Sequence, residues 1–491
     1  MRLAFVIHLT GVLVRLFAGA FLAPLAVALY YGERHDAIGF LLASLGALVA
    51  GHLMRRVAEE PRDLRRVEGM AIVAGTWLLV AVAGAVPYVW AGVGLIDALF
   101  ESMSGLTTTG ATTFADFSLF GRGIFFWRSL TQWLGGLGVI ALFVAILPRL
   151  AIGGRQLFFA EAPGPTDEKL TPQIRKTAAA LWALYTGLTL AETVSLRAVG
   201  MPWFDSVCHA FTTLAAGGFS PHPRSIMGYQ NPAAEWIITG FMFLAGANFA
   251  LQFRVLRGQP AAIVRDDEFR AYAGLVMVAG GVGALFLWHE GAAVLEAARL
   301  SLFQVVSILT TTGYASDDFQ LWSDQTKMIL LTLMFVGGCA GSAAGGPKVV
   351  RHVLIARFTL RELKRILHPR AVLPVKLGRR TVPDEVMRGV LVFFLFYLLV
   401  FAACTAIVVG FGADIVTGIT ASIATLGNIG PGFNQVGPMA HFAHLHPVSK
   451  LALTAAMWIG RLEVLTVLAI LRPEVWRTAR WGKGGRGYFS E

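Results

Sequence analysis

Charge is what this chain most lacks. Asp, Glu, Lys and Arg make up 14% of its 491 residues, where soluble proteins carry about a quarter. A soluble enzyme is excluded on that ground. Cysteine is scarce as well. Cys208, Cys339 and Cys404 each lie in a mostly apolar stretch, without pairing pattern or metal-ligand spacing, and read as buried free thiols. No Gly-rich turn follows a strand and no Walker lysine occurs, so a nucleotide acting on this protein must bind a partner. Clustered Asp, Glu or His of the kind a membrane-embedded transferase needs is missing, as is a chain of intramembrane carboxylates for a proton relay.

Apolar residues fill the space that charge leaves, at 56% of the chain. Runs at 71–91, 133–148, 236–251 and 390–411 are nearly free of charge and approach the ~20 residues that cross a bilayer. The chain therefore reads as an all-α polytopic membrane protein. Crossing helices are expected at about 3–30, 38–56, 68–91, 124–148, 175–198, 234–256, 272–289, 325–346, 388–411 and 449–471. The first of these is too long for a signal-peptide core and is interrupted by Arg15, so it reads as a retained helix; snorkelling or packing explains that arginine.

The net charge is +11. A basic balance can signal nucleic acid, but here the cations sit between apolar segments, as cytoplasmic loops do under the positive-inside rule. Arg55, Arg56, Arg62, Arg65 and Arg66 fill one connection. Arg351, Arg357, Arg361, Lys364, Arg365, Arg370, Lys376, Arg379 and Arg380 fill another, and Arg472, Arg477, Arg480, Lys483 and Arg486 the tail. Alternate connections hold few, such as Arg34, Arg197 and Arg224. Both termini are thus expected on the cytoplasmic side. The connection 348–388 is either a contact surface for acidic partners or anionic lipid, or topology charge alone.

Four apolar stretches are too short to span: about 95–107, 203–215, 298–310 and 414–425. Each runs into a Thr- or Gly-rich turn and then into a crossing helix, the pattern of a re-entrant segment. Stacked, DALFESMSGLTTTGAT (97–112), DSVCHAFTTLAAGGFS (205–220), LSLFQVVSILTTTGYA (300–315) and DIVTGITASIATLGNI (414–429) put Gly110, Gly218, Gly313 and Gly427 in one column. Asp97, Asp205 and Asp414 each lie thirteen residues before their glycine, while the third copy has Leu300 there and Glu296 nearby. Asp suits a helix N-cap, so each stretch reads as a capped half-helix whose negative end aims at the turn. The expected architecture is two leading helices (1–60) and four helix, half-helix, turn, helix repeats in pseudo-fourfold arrangement around one pore. The repeats cover 61–150, 151–260, 261–370 and 371–491, the third with a broken helix and the fourth with a basic tail.

A cation in hydrocarbon needs its hydration shell replaced, and rings of backbone carbonyls do so in potassium filters. Glycine lets the carbonyls of an extended turn aim inward, and Thr hydroxyls add oxygens. The filter set is accordingly Thr108, Thr109, Gly110, Ala111, Ala216, Gly217, Gly218, Phe219, Thr311, Thr312, Gly313, Tyr314, Thr425, Leu426, Gly427 and Asn428. The competing reading of these glycines is close helix packing. In the second repeat Gly217 and Gly218 compete, and the Asp205 spacing favours Gly218.

Helix 325–346 ends in FVGGCAGSAAGGPKVVR (335–351). Gly337, Gly338, Gly341, Gly345 and Gly346 with Pro347 cannot sustain a helix. With Ser342 and Lys348 they read as a flap across the pore, or else as a small-residue packing seam. The other exit helices contain no comparable cluster. Arg461 falls mid-membrane in WIGRLEVL (458–465), where burial of the charge costs at least ~2.5–3.5 kcal/mol on insertion scales. It either lines the ion pathway or pairs with a buried carboxylate such as Glu192. His441, His444 and His446 lack a neighbouring Cys or carboxylate and read as a solvated external loop.

Beyond this, TTTGAT (107–112), QWLGGLG (132–138), GGFS (217–220), FLAGANFALQF (243–253), TTTGYA (310–315), GGCAGSAAGG (337–346), TLGNIGPGF (425–433) and IGRLE (459–463) resemble the TrkH/KtrB superfamily of potassium-translocating membrane subunits. They run across nearly the whole chain, and the two leading helices resemble the TrkH branch. The resemblance implies potassium uptake across the bacterial inner membrane by a homodimer in which each protomer has its own pore. It implies a cytosolic ring of TrkA-like nucleotide-binding subunits and no cofactor in this chain beyond potassium as substrate. It puts filter glycines at Gly110, Gly218, Gly313 and Gly427, the gating loop at 337–346 and the cavity arginine at Arg461. In related plant transporters serine at the first filter glycine accompanies sodium preference, and Gly110 favours potassium. Sodium or weakly selective cation transport on the same fold is the alternative. Two residues depart from the pattern. Ala215 and Ala216 lack the usual hydroxyls, which leaves the second repeat carbonyl ligands, and Pro347 replaces an aliphatic residue and stiffens the hinge.

Overall fold

The computed structural model describes residues 1–57, 66–145, 170–378 and 380–477. Arg62, Arg65, Arg379, Arg480, Lys483 and Arg486 lie outside the described residues. Among the described residues the regular secondary structure is almost entirely helix. Five helices among the described residues are long and apolar enough to cross a membrane, or seven if two sharply bent pairs each count as one span. Each of the ten expected crossings falls on helix, but three are not continuous: 325–346 is helical only as Asp324–Met334, and 234–256 and 449–471 are sharply bent pairs. The expected half-helices appear as Leu95–Leu106, Trp203–Leu214, Val294–Leu309 and Ile415–Leu426. The basic connection carries a feature that hydropathy does not reveal, a two-residue hairpin pairing Lys376 with Thr381 and Leu377 with Arg380.

The residues fall into two compact units that do not follow the repeat boundaries. The first holds Met1–Ser102, Phe120–Trp127 and the chain from Leu462. Here the leading helices Leu3–Phe17 and Arg34–Arg55 cross so closely that a Cβ on Gly11 would lie 2.6 Å from Met54 Cβ and 2.9 Å from the Gly51 carbonyl oxygen. Small residues permit such backbone approach in membranes. Trp127 is fully buried against Phe21 at 4.5 Å between ring centres and donates its indole N–H to the Gly84 carbonyl at 3.1 Å. Arg2 pairs with the fully buried Glu68 at 2.7 Å, which settles a charge that could not stand alone in a membrane helix. Arg15 is exposed.

The second unit comprises Met103–Leu119 and Arg128–Arg461 and contains all four turns. Cys208, Cys339 and Cys404 are free and buried.

Candidate functional site: four turns and the loop beneath them

The half-helices end alike. Each closes on a leucine (Leu106, Leu214, Leu309, Leu426), and two residues later the backbone turns left-handed at Thr108, Ala216, Thr311 and Asn428, with φ of 51°, 52°, 57° and 53°. The next amide reaches back to the last helical turn: Thr109 to Ser104 O at 2.8 Å, Gly217 to Thr212 O at 2.8 Å, Thr312 to Ser307 O at 2.9 Å and Ile429 to Ala424 O at 2.7 Å. These are Schellman closures. Left-handed non-glycine residues cost about 1–3 kcal/mol each and persist where the surroundings over-determine them.

Four residues past each leucine stands a glycine with positive φ: Gly110, Gly218, Gly313 and Gly430. Their neighbours explain why only glycine fits. A Cβ on Gly110 would strike the Gly217 carbonyl oxygen, one on Gly218 that of Thr312, one on Gly313 that of Ile429, and one on Gly430 that of Thr109. Each turn abuts the next and the fourth abuts the first. The four turns form a closed ring.

This corrects the fourth repeat by three residues. Gly427 caps its half-helix at φ −79°, and Thr425 and Leu426 still belong to the helix. Of the residues expected in that turn only Asn428 lies in it, followed by Ile429, Gly430 and Pro431. The aspartate column misled because a carboxylate suits two places at a helix N-terminus. Asp414 is a true N-cap, accepting from Thr417 N at 3.0 Å, whereas Asp97 and Asp205 lie at the third helical position. Both placements satisfy the dipole, so the column does not fix the register. Glu296 also sits third in its half-helix, which has 16 residues where the others have 12. That extra turn is why Leu300 occupied the column.

Which oxygens the ring offers follows from which are taken. The Ala111 carbonyl accepts from Ser104 Oγ at 2.6 Å, and the Tyr314 carbonyl from Ser307 Oγ at 2.7 Å and Gln304 Nε2 at 3.0 Å. The Gly217 carbonyl accepts from Gln132 Nε2 at 2.6 Å, while Gln132 Oε1 accepts from Phe219 N at 3.1 Å. Among the described residues no protein group donates to the carbonyls of 108–110, 216, 218, 311–313 and 428–430. The side chains of Thr108, Thr109, Ala216, Thr311, Thr312 and Asn428 are fully buried, and buried carbonyls without a donor are strongly disfavoured. Such a ring suits a dehydrated cation. The hydroxyls contribute less than their number suggests. Thr107 and Thr109 bond to each other at 2.7 Å, as do Thr310 and Thr312 at 2.8 Å. Thr311 Oγ1 accepts from Gly345 N at 2.6 Å.

Phe219 and Tyr314 act as struts. The Arg128 guanidinium lies 4.0 Å from the Phe219 ring centre, and the Tyr314 hydroxyl bonds to Thr212 and to the His209 carbonyl at 3.2 Å.

Beyond Met334 the chain runs without helix until Val349, and this loop docks on the ring. A Cβ on Gly345 would lie 2.5 Å from the Gly427 carbonyl oxygen and 2.9 Å from Asn428 Cβ. Gly337, Gly341, Gly346 and Lys348 take positive φ. A Cβ on Gly338 would lie 3.0 Å from the Gly246 carbonyl oxygen. Ser342 Oγ closes on Cys339 O at 2.5 Å, and the Lys348 ammonium bonds to the Ala344 carbonyl.

The loop's second support lies in the exit helix of the second repeat. That helix is not continuous over 234–256. Pro232–Ala245 and Phe249–Leu256 meet at 102°, with Asn248 capping the second piece through Ala250 N at 2.8 Å and Leu251 N at 3.1 Å. The freed groups bond to the loop: Cys339 N to Gly246 O at 2.9 Å, Ala343 N to Ala245 O at 3.1 Å and Phe249 N to Gly341 O at 3.1 Å. One broken helix thus receives another. Gly246 followed by Asn248 is the signal that sequence reading passed over, a small residue and then a strong N-cap.

Arg461 ends the helix Pro447–Arg461 instead of lying within a continuous 449–471, with Glu463 at φ 68° just beyond. Buried, it donates to the Ala343 carbonyl at 2.9 Å and the Gly135 carbonyl at 3.4 Å. Among the described residues it makes no ion pair, so the pairing with Glu192 is not realised. His441 and His444 stand with ring centres 5.8 Å apart, and no group of three His, Cys, Asp or Glu residues suited to a metal occurs among the described residues.

Comparisons with known proteins agree with this fold. A sequence profile of the TrkH family, described as cation transport protein, matches residues 40–275 and 290–476. The Trk system potassium uptake protein TrkH of Salmonella typhimurium is 39% identical over 481 residues, covering 96% of this chain and 98% of that one. The TrkI protein of Halomonas elongata is 33% identical, covering 92% and 93%. The crystal structure of the potassium transporter TrkH from Vibrio parahaemolyticus superposes with a TM-score of 0.88 at 36% identity, covering 97% of this chain and all of that one. The chain belongs to the TrkH family of cation transport proteins.

Proposed function

We propose that this protein takes up potassium across the bacterial cytoplasmic membrane through the ring of turns, and that the loop 335–348 gates the path. The observation that carries the reading is the set of ring carbonyls at 108–110, 216, 218, 311–313 and 428–430, most of them on buried residues, to which no protein group donates among the described residues. They replace hydration water around a dehydrated cation. The half-helices aim their negative ends at the same place. Membrane potential supplies about 2.3 kcal/mol per charge per 100 mV for inward movement. Arg461, fixed between the loop and the Gly135 carbonyl, limits cation occupancy beneath the filter. The protein acts as a homodimer with one pore per protomer and both termini cytoplasmic, under a cytosolic nucleotide-binding subunit of the TrkA type. The names of the relatives support potassium uptake by a Trk system, and the basic connection 348–388 offers a face for an acidic cytosolic partner.

Rubidium-86 uptake into liposomes holding the purified protein under a potassium gradient tests the reading, with Gly110→Ser beside the wild type. Uptake that external potassium blocks and sodium does not, and that the substitution abolishes or makes sodium-sensitive, is the expected result. Equal competition by sodium in the wild type rejects potassium selectivity.

A further inference from the structure

One carboxylate oxygen holds both limbs of the loop. Glu268 Oε1 accepts from Ala340 N, inside the loop, at 2.7 Å, and from Val350 N, in the first turn of the helix Val349–Leu367, at 3.1 Å. The limbs are also joined at the neck, Lys348 N to Val336 O and Val349 N to Gly338 O, both at 3.0 Å. Glu268 is buried at the start of the helix Asp267–His289, and its contact with Val350 sets a carboxylate at a helix N-terminus, where anions are favoured.

The residue before it grips the same helix further along. Asp267 Oδ2 pairs with Arg357 at 2.8 Å and accepts from Gly378 N of the hairpin at 2.7 Å, and its other oxygen bonds to Arg270. Arg357 also donates to the Lys376 carbonyl at 2.6 Å. Val350 and Arg357 stand seven residues apart, about two helical turns on one face. Two adjacent carboxylates therefore bind one helix at two levels, and the upper one binds the loop as well.

Resting on the reading of this loop as a gate, we propose that Asp267 and Glu268 form a clamp that transmits displacement of the helix Val349–Leu367 to the loop 335–348. The two are positioning residues. A shift of the helix by a fraction of a turn parts Arg357 from Asp267 at the cytoplasmic level. It also draws Val350 from Glu268, which leaves the Ala340 end of the loop unanchored. The force comes from whatever binds the hairpin and the basic face of this helix.

Cys339 reports the loop directly, since it lies beside Ala340 and is buried. The full chain carrying Cys208→Ala and Cys404→Ala is reconstituted in liposomes and treated with a small methanethiosulfonate. Loss of a charge-assisted hydrogen bond changes a local opening equilibrium by about tenfold, so Glu268→Ala should label about tenfold faster than its parent and Glu268→Gln less so. Arg357→Ala should accelerate labelling without touching the loop, and exchange of the charges (Asp267→Arg with Arg357→Asp) should label more slowly than Arg357→Ala. Unchanged labelling in both Glu268→Ala and Arg357→Ala, with protein that stays monodisperse, overturns the clamp. Faster labelling with unaltered rubidium flux upholds the clamp and rejects the gate.

Discussion

The side-chain amide of Asn428 donates to Thr109 Oγ1 at 3.0 Å, across 319 positions of sequence. It also donates to the Met457 carbonyl at 3.0 Å. One residue thereby joins the last turn of the ring to the first and to its own exit helix, while its backbone takes the left-handed turn at φ 53°. Asparagine tolerates that conformation better than other non-glycine residues. Asn428→Ala forfeits both bonds and that tolerance, a loss of about 1–3 kcal/mol in total. The expected outcome is a lower thermal midpoint in detergent and a several-fold fall in potassium preference in rubidium competition. A variant as selective as the wild type would show that the ring does not depend on this closure.

The fourth turn offers a direct test of register. Gly430 takes φ +107° and a Cβ there would lie 2.8 Å from the Thr109 carbonyl oxygen, whereas Gly427 has ordinary φ. Gly427→Ala is crowded by the Ile423 carbonyl oxygen and the Ile429 side chain, so it lowers stability without entering the ring. Gly430→Ala moves a ring carbonyl. Ion selectivity measured by potassium–sodium competition should collapse in Gly430→Ala and survive in Gly427→Ala. The reverse order would restore the register read from the aspartate column.

That register error marks where sequence reading stops. The half-helices, turns and crossing helices were legible because hydropathy and length decide them. The positions of Gly110, Gly218 and Gly313 were legible because a glycine recurs in a repeated frame. In the fourth copy two glycines three residues apart satisfy the same pattern, and only the backbone distinguishes a helix cap from a ring member. The break at Gly246 left a local trace, the N-cap Asn248 two residues on, but its partners in the loop 335–348 are distant in the chain and leave none. The break at Arg461 was not legible, because its guanidinium bonds to the carbonyls of Ala343 and Gly135 far away in sequence. The pairing of Gln132 with the second turn is hidden for the same reason.

Ser104 and Ser307 make the first and third turns equivalent. Each hydroxyl holds the carbonyl that follows the ring glycine, at 2.6 and 2.7 Å. A neutral hydrogen bond of this kind contributes about 0.5–1.5 kcal/mol. Ser104→Ala and Ser307→Ala should fold, conduct rubidium and discriminate less sharply against sodium. Ser104→Ala should have the larger effect, because Gln304 still holds the Tyr314 carbonyl when Ser307 is lost. Sodium competition curves for the two variants measure this order.

Arg461 holds the loop by its backbone. Its guanidinium reaches the Ala343 carbonyl at 2.9 Å and the Gly135 carbonyl at 3.4 Å, so it ties the loop to the exit helix of the first repeat while placing a positive charge in the same buried space. Arg461→Ala removes anchor and charge together, and both losses favour cation passage, so rubidium flux without any partner should rise several-fold. Arg461→Lys separates the two effects. Lysine keeps the charge but lacks the forked geometry that serves two carbonyls at once. If charge limits the flux, Arg461→Lys conducts like the wild type. If the anchor limits it, Arg461→Lys conducts like Arg461→Ala. Flux in Arg461→Ala no greater than in the wild type would remove this residue from the path altogether.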